Sequence, residues 1–121
     1  MWQRIHITGA AGAGVTSLGA ALAGRLNAVH LDSDDFYWLP TSPPYRLKRN
    51  ITDRLALLGA AFADAETWVL SGSCDSWIGS LVSSFDLVVF VVTPTPLRLA
   101  RLRRRERARF GEAAKQRRDA A

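Results

Sequence analysis

Along the chain, apolar positions switch between a two-residue and a four-residue period. In Trp2–Thr8, Ile5 and Ile7 alternate with polar neighbours, the pattern of a strand. Gly9–Gly14 is a turn rich in glycine and alanine, and from Val15 to Leu26 the spacing becomes helical, with Leu18, Leu22 and Leu26 four apart on one face. Ala28–Leu31 reads as a second strand ending in Asp32-Ser33-Asp34-Asp35, and Phe36–Asn50, with Pro40, Pro43 and Pro44, reads as loop. Thr52 or Asp53 can cap a helix to about Ala65 whose Leu55, Leu58 and Phe62 face inward. Thr67–Ser71 is a third strand followed by Gly72-Ser73, and Cys74–Phe85 carries a weak helical pattern. Asp86–Val92 is a continuous apolar run, expected to be a strand covered on both faces. Thr93-Pro94-Thr95-Pro96 breaks that run, and a charged helix is expected from about Leu97.

Strands alternating with helices predict βαβ units, hence an α/β fold with a parallel sheet and right-handed crossovers. Such sheets bind ligands beyond the carboxyl ends of their strands. Gly9–Thr16, Asp32–Asp35 and Ser71–Ser73 all fall there, after strands one, two and three.

A chain of 121 residues favours one domain. Its core is expected at about 1–97 and an arginine-rich segment at about 98–121, with no repeat or linker between them. No apolar run reaches the roughly 20 residues that span a membrane, and the amino terminus has no signal-peptide pattern. Cys74 is the only cysteine, so no intramolecular disulfide can form and a cytoplasmic location is expected. The formal charge of +5 is uneven: residues 98–121 hold ten of the sixteen basic and three of the eleven acidic residues. The basic segment therefore expects an anionic partner, either a phosphate ligand or a nucleic acid.

Gly9-Ala10-Ala11-Gly12-Ala13-Gly14-Val15-Thr16 matches the phosphate-binding pattern G-x-x-x-x-G-K-[ST] except at the lysine, where Val15 stands. Glycines let backbone N–H groups converge on an anion, the following helix adds its positive dipole end, and the Thr hydroxyl suits Mg²⁺. A glycine-rich turn without a ligand is the plain alternative. A dinucleotide loop would need G-x-G-x-x-G; Gly12-Ala13-Gly14 begins one, but Ser17 occupies the third glycine's place.

Ile5-His6-Ile7-Thr8-Gly9 with its loop, Leu31-Asp32-Ser33-Asp34, Val69-Leu70-Ser71-Gly72, and Leu87–Pro94 leading to Arg98 and Arg101 together resemble the adenylate kinase and shikimate kinase group of P-loop proteins. The resemblance runs to about Arg109. It implies a three-layer P-loop NTPase fold with strand order 2-3-1-4 followed by a fifth strand. It also implies ATP and Mg²⁺ as cofactors, phosphoryl transfer to a small acceptor (a nucleoside monophosphate or a small hydroxylated metabolite), and an arginine-bearing lid. By this resemblance Ala10, Ala11, Ala13, Ser17 and the rest of the loop hold the nucleotide, and Thr16 and Asp32 serve the metal. Asp34 holds or activates the acceptor, Arg101 stacks on the adenine, and Arg105 and Arg109 reach the phosphates. The family's fifth strand has no counterpart here after Lys115–Ala121, which suggests a fragment, a truncated product, or self-association through the edge of the fourth strand.

Asp32 and Asp34, two apart, would face one side of an extended chain; a capped, solvated turn is the alternative. Phe36, Tyr37, Trp38 and Trp77 are candidates for an acceptor pocket or for core, and Arg46, Lys48, Arg49 and Arg54 for an anionic acceptor or for plain surface. Asp86 precedes its apolar run, so it reads as a cap and not a metal ligand. His6 reads as a satisfied core histidine. The arginine segment stays open between a lid, a nucleic-acid arm and a solvated helix, and a catalytically weak nucleotide-binding protein is the main alternative to a kinase. Nucleic acid is the partner that the loop and topology favour less.

Overall fold

The computed structural model describes residues 2–10, 13–94, 96–97, 99–100 and 102–107. Its elements are β1 (Arg4–Gly9), α1 (Val15–Leu26), β2 (Val29–Asp32), a single helical turn α2 (Asp34–Tyr37), α3 (Ile51–Asp64), β3 (Trp68–Ser71), a 3₁₀ turn (Gly79–Ser84) and β4 (Leu87–Val91). Residues 102–107 are helical. The four strands form one sheet in the order β2-β3-β1-β4, and every neighbouring pair is parallel. Both the α/β class and the expected strand order are therefore observed. Among the described residues no helix is long and apolar enough to cross a membrane.

Side chains of β3 alternate between two cores, as the pleat requires. Val69 joins Ile5 and Ile7 of β1 and Ala23 of α1 on one face. Trp68 and Leu70 meet Leu58 and Phe62 of α3 on the other, together with Cys74, Trp77 and Ile78. The rings of Phe62 and Trp68 stack with centroids 3.9 Å apart and 4° between planes, and Phe85 meets both edge-on. Such pairs contribute about 0.5–1.5 kcal/mol each beyond the area they bury. His6 is buried between Phe85, 4.8 Å away, and the Gly72 carbonyl, which its Nε2 meets at 2.8 Å. It is a satisfied core histidine.

Several expectations need correction. Helix α3 starts at Ile51, and its cap is Asn50, whose side chain accepts from the Asp53 N–H at 2.9 Å; Thr52 and Asp53 lie inside the helix. Asn is as good an N-cap as Thr or Asp, and a capping residue needs extended backbone, which Asn50 has. The segment 36–50 is not all loop: α2 runs into it, and Trp38 pairs with Lys48 in an antiparallel bridge. Between Cys74 and Phe85 there is a turn and a 3₁₀ stretch, with no α-helix.

Strand β4 is covered on one face only. Leu87, Val89 and Val91 pack against the α1-side core, while Val88 and Phe90 are 53% and 68% exposed. This strand lies at the sheet edge, and α3 packs over β3, too far across to shield them. On α1 the tightest contact is made by small residues: Gly19 and Ala23 are buried, Leu22 and Leu26 flank the core, and Leu18 is 43% exposed.

A Cβ added at Gly19 would collide with the Ser71 Oγ and His30 Nε2, which hydrogen-bond to each other at 2.8 Å. Helix α1 can approach the end of β3 this closely only because position 19 lacks a side chain. Gly24, on the same helix, has open space around it. Gly19→Ala should therefore lower stability by about 1–3 kcal/mol through overpacking. Gly24→Ala should raise it by up to about 1 kcal/mol through helix propensity. Thermal melts of the two variants check this, and equal shifts of the same sign would contradict the packing described.

Candidate functional site

The carboxyl ends of β1, β2 and β3 open onto a cavity of about 1070 Å³. Its floor is the glycine-rich loop between β1 and α1. Gly14 has φ 90° and ψ 22°, a left-handed conformation that glycine adopts without strain, and it begins α1 with no side-chain cap. The first N–H groups of α1 are therefore not taken by a side chain at the cap, and the helix dipole adds positive potential where they emerge. The loop is held from two sides: Ala13 N–H bonds to the Ala10 carbonyl at 3.0 Å, and the Thr93 hydroxyl donates to the Ala13 carbonyl at 3.1 Å. Gly9 is equally constrained, since a Cβ there would stand 2.6 Å from the Val91 carbonyl oxygen. Gly9, Ala10, Ala13, Gly14, Val15, Thr16 and Ser17 line the cavity. Ala11 and Gly12 lie outside the described residues.

Asp32 ends β2 and uses both carboxylate oxygens. Oδ2 accepts from the Thr16 hydroxyl at 3.3 Å, and Oδ1 accepts from the Asp34 N–H at 3.0 Å. The chain is thus not extended at Asp34 as expected; the Asp32 carboxylate caps the turn α2, and this turn swings Asp34 into the cavity beside Ser33 and Ser73. The capped turn, the alternative weighed for this acidic stretch, is observed. The hydroxyl and carboxylate in contact beside the glycine loop form a hard-oxygen pair of a kind that Mg²⁺ can take.

Beyond β3 the chain turns at Gly72, φ 107°, where a Cβ would clash with the Ser33 Oγ. Gly72 and Ser73 then line the same cavity. From the arginine segment, Arg105 reaches it as expected, and so does Arg104, which the sequence singled out only as part of a basic run. Arg101 and Arg109 lie outside the described residues. Asp86 sits at the opposite end of the sheet, where its Oδ2 accepts from the Gln3 and Arg4 N–H groups at 3.2 and 3.0 Å; it is a cap.

Val15 lines the cavity but does not bring charge to it as a lysine could. Its side chain packs beside the core of Ile5, Ile7, Ala23 and Val69, against the Gly9 backbone. Among the described loop residues the site therefore has amide donors and a helix dipole but no cation, and the charges nearest the phosphate side are Arg104 and Arg105.

A second, smaller cleft of about 440 Å³ adjoins the first and shares Asp34 and Ser73 with it. Tyr37, Trp38 and Trp77 line it, whereas Phe36 packs into the core. Cys74 and Asp75 line it too. Burial pushes the Cys74 thiol up to about 12, and the neighbouring Asp75 carboxylate adds to the shift, so the sulfur stays protonated at neutral pH and is no nucleophile.

No family model matches the chain. The uncharacterized protein YqaC of Bacillus subtilis (strain 168) is 47% identical over 111 residues, and the match covers 92% of this chain and 61% of that protein. Among solved structures, the shikimate kinase from Acinetobacter baumannii in complex with shikimate superposes with a TM-score of 0.58 at 21% identity, over 84% of this chain and 62% of that one. A gluconokinase from Sinorhizobium meliloti 1021 gives 0.55 at 21% identity, over 85% of this chain and 65% of that one. A sugar kinase from Janibacter sp. HTCC2649 gives 0.54 at 14% identity, over 84% and 66%. The chain thus spans a little under two thirds of the length of the proteins it resembles. With a four-stranded parallel sheet in the order 2-3-1-4 and a glycine loop leading into the first helix, it has the fold of the P-loop kinases.

Proposed function

We propose that the chain is an ATP-dependent phosphotransferase: it binds ATP with Mg²⁺ in the Gly9–Thr16 loop and transfers the γ-phosphoryl group to a hydroxyl of a small acceptor held beside Asp34. The observation that carries this reading is the contact between Thr16 and Asp32, 3.3 Å apart at the start of an α1 that opens on a left-handed Gly14. The turn α2 uses only Oδ1 of Asp32 and so does not account for the Thr16 hydroxyl that meets Oδ2 at the cavity.

In this reading the loop amides and the amino end of α1 hold the phosphates. Thr16 and Asp32 hold the Mg²⁺, which screens phosphate charge when bound. Asp34 orients the acceptor hydroxyl and takes its proton as the oxygen attacks phosphorus. Arg105, half-buried in the cavity wall, supplies the positive charge that position 15 lacks, with Arg104 beside it. A guanidinium suits this task because its charge is permanent and its planar fork can bind two phosphate oxygens. Ser17, Ala10 and Ala13 complete the nucleotide cradle; Ala11, Gly12, Arg101 and Arg109, to which the resemblance gives nucleotide roles, lie outside the described residues.

Two experiments test the reading. Gly14→Val places a β-branched residue at φ 90° and a side chain where phosphate sits. Binding of a fluorescent ATP analogue should be lost while circular dichroism still reports a folded chain; retained affinity in a folded variant would remove the phosphate-loop assignment. The second experiment concerns charge. A hydrogen bond to a charged group contributes about 1.5–3 kcal/mol, or about one to two decades of rate. If Arg105 does the work of the absent lysine, Arg105→Ala should cut turnover by at least about tenfold with little change in ATP affinity, and Val15→Lys should gain little. A rise in turnover in Val15→Lys, with Arg105→Ala silent, would instead mark a nucleotide-binding protein that has lost most of its transfer chemistry.

A further inference from the structure

The proposed reaction leaves its acceptor unspecified, and the smaller cleft narrows the class. That cleft is where an acceptor must lie, because it meets the phosphate cavity at Asp34 and Ser73. Its walls are aromatic. Tyr37 and Trp38 meet edge-on at 4.8 Å, and Tyr37 and Trp77 lie 6.5 Å apart at 51°. The acidic side chains lining it are Asp34 and Asp75.

Four basic residues, Arg46, Lys48, Arg49 and Arg54, stand in or next to the segment that forms these walls, and the sequence offers them as ligands for an anionic acceptor. Three of them have structural work instead. Arg49 donates through Nε to the Phe36 carbonyl at 3.1 Å and through Nη2 to the Trp38 carbonyl at 3.4 Å. Arg54 donates through Nε to the Arg49 carbonyl at 2.7 Å, and its guanidinium lies 4.1 Å from the centre of the Tyr37 ring and 5.7 Å from that of Trp77. Lys48 places its Nζ 5.7 Å from the centre of Tyr37. These cations brace the aromatic wall, and among the described residues no cationic side chain lines the cleft. The upward push of Asp75 on the Cys74 thiol agrees with a negative potential there.

Resting on the phosphotransferase reading, we infer that the acceptor is a polyhydroxylated compound bearing no anionic group, either neutral or amino-substituted. Aromatic faces cover the C–H faces of such a molecule, the carboxylates and the Ser73 and Ser76 hydroxyls accept and donate at its hydroxyls, and an amino group would gain both cation–π contact and ion pairing. A phosphate or carboxylate on the acceptor would instead lose its water shell against two carboxylates, with no cation lining the cleft to replace that water. On this ground a nucleoside monophosphate, one of the two acceptor types the sequence suggests, fits the cleft less well than an uncharged polyol.

The test is a set of binding titrations read by tryptophan fluorescence, without nucleotide. Matched scaffolds are compared: glucose, glucosamine, myo-inositol and adenosine against gluconate, glucose 6-phosphate, myo-inositol 1-phosphate and AMP. At least one neutral or amino compound should bind tenfold or more tightly than its anionic counterpart. The exposed Asp75→Lys substitution should reduce or reverse that ratio by about tenfold, and Trp77→Phe should remove a large part of the signal. Anionic compounds binding as well as or better than their neutral partners would overturn the inference. So would an unaltered ratio in Asp75→Lys, or no binding by any neutral or amino compound. Binding of the fluorescent ATP analogue is followed in the same samples. Its loss in the wild-type chain would defeat the nucleotide reading while leaving the acceptor ranking legible.

Discussion

The close approach of α1 to the carboxyl end of β3 is the constraint on which the rest of the site depends. It is possible because Gly19 presents no side chain to Ser71 and His30. With the helix seated there, its first turn comes over the end of β2, and the Thr16 hydroxyl reaches the Asp32 carboxylate. The other oxygen of Asp32 then sets the turn that aims Asp34 into the cavity. Three strand ends and one helix start thus converge through a short chain of contacts, each needing a small residue or a particular oxygen. The same economy appears at Gly72, whose missing side chain leaves room for Ser33.

Charge is distributed unusually for the phosphate site we propose. Position 15, where the phosphate-loop pattern has a lysine, holds a partly buried valine that packs against the apolar core and lines the cavity. The nearest cations come from the far end of the chain, on the helix that carries Arg104 and Arg105. A charge fixed in the loop is present at all times, whereas one carried on a separate helix acts only when that helix stands over the cavity. Binding and transfer can therefore respond differently to the same substitution. On the acceptor side the pattern inverts: Lys48, Arg49 and Arg54 are close by, yet their contacts go to aromatic rings and backbone carbonyls.

Much of this was legible from residue order. Helix α1 was bounded correctly by the four-residue leucine spacing after a glycine-rich turn; Gly14 and Asn27, just outside its ends, adopt left-handed backbone. The parallel sheet followed from strands alternating with helices, and its order from the resemblance to the P-loop kinases. What escaped had to do with partners distant in the chain. An apolar run does not say how many of its faces are covered, so Val88 and Phe90 read as core even though the expected strand order already put β4 at an edge. The leucine period in α1 marked a face but not the small residues that make its closest contact. Arg49 and Arg54 read as ligands or plain surface and are neither, because stacking on a ring and donating to a carbonyl leave no local trace in sequence.

The central claim is that Thr16 and Asp32 form a metal site serving a nucleotide in the loop. It is tested most directly by electron paramagnetic resonance of Mn²⁺ titrated into the protein with and without ATP. The account predicts that wild-type protein with ATP removes Mn²⁺ from the free pool more tightly than ATP alone. It also predicts that Asp32→Asn and Thr16→Val each return the affinity toward that of ATP alone, in folded protein. Tight ternary Mn²⁺ binding that survives both substitutions would contradict it, as would wild-type protein that leaves the Mn²⁺–ATP affinity unchanged.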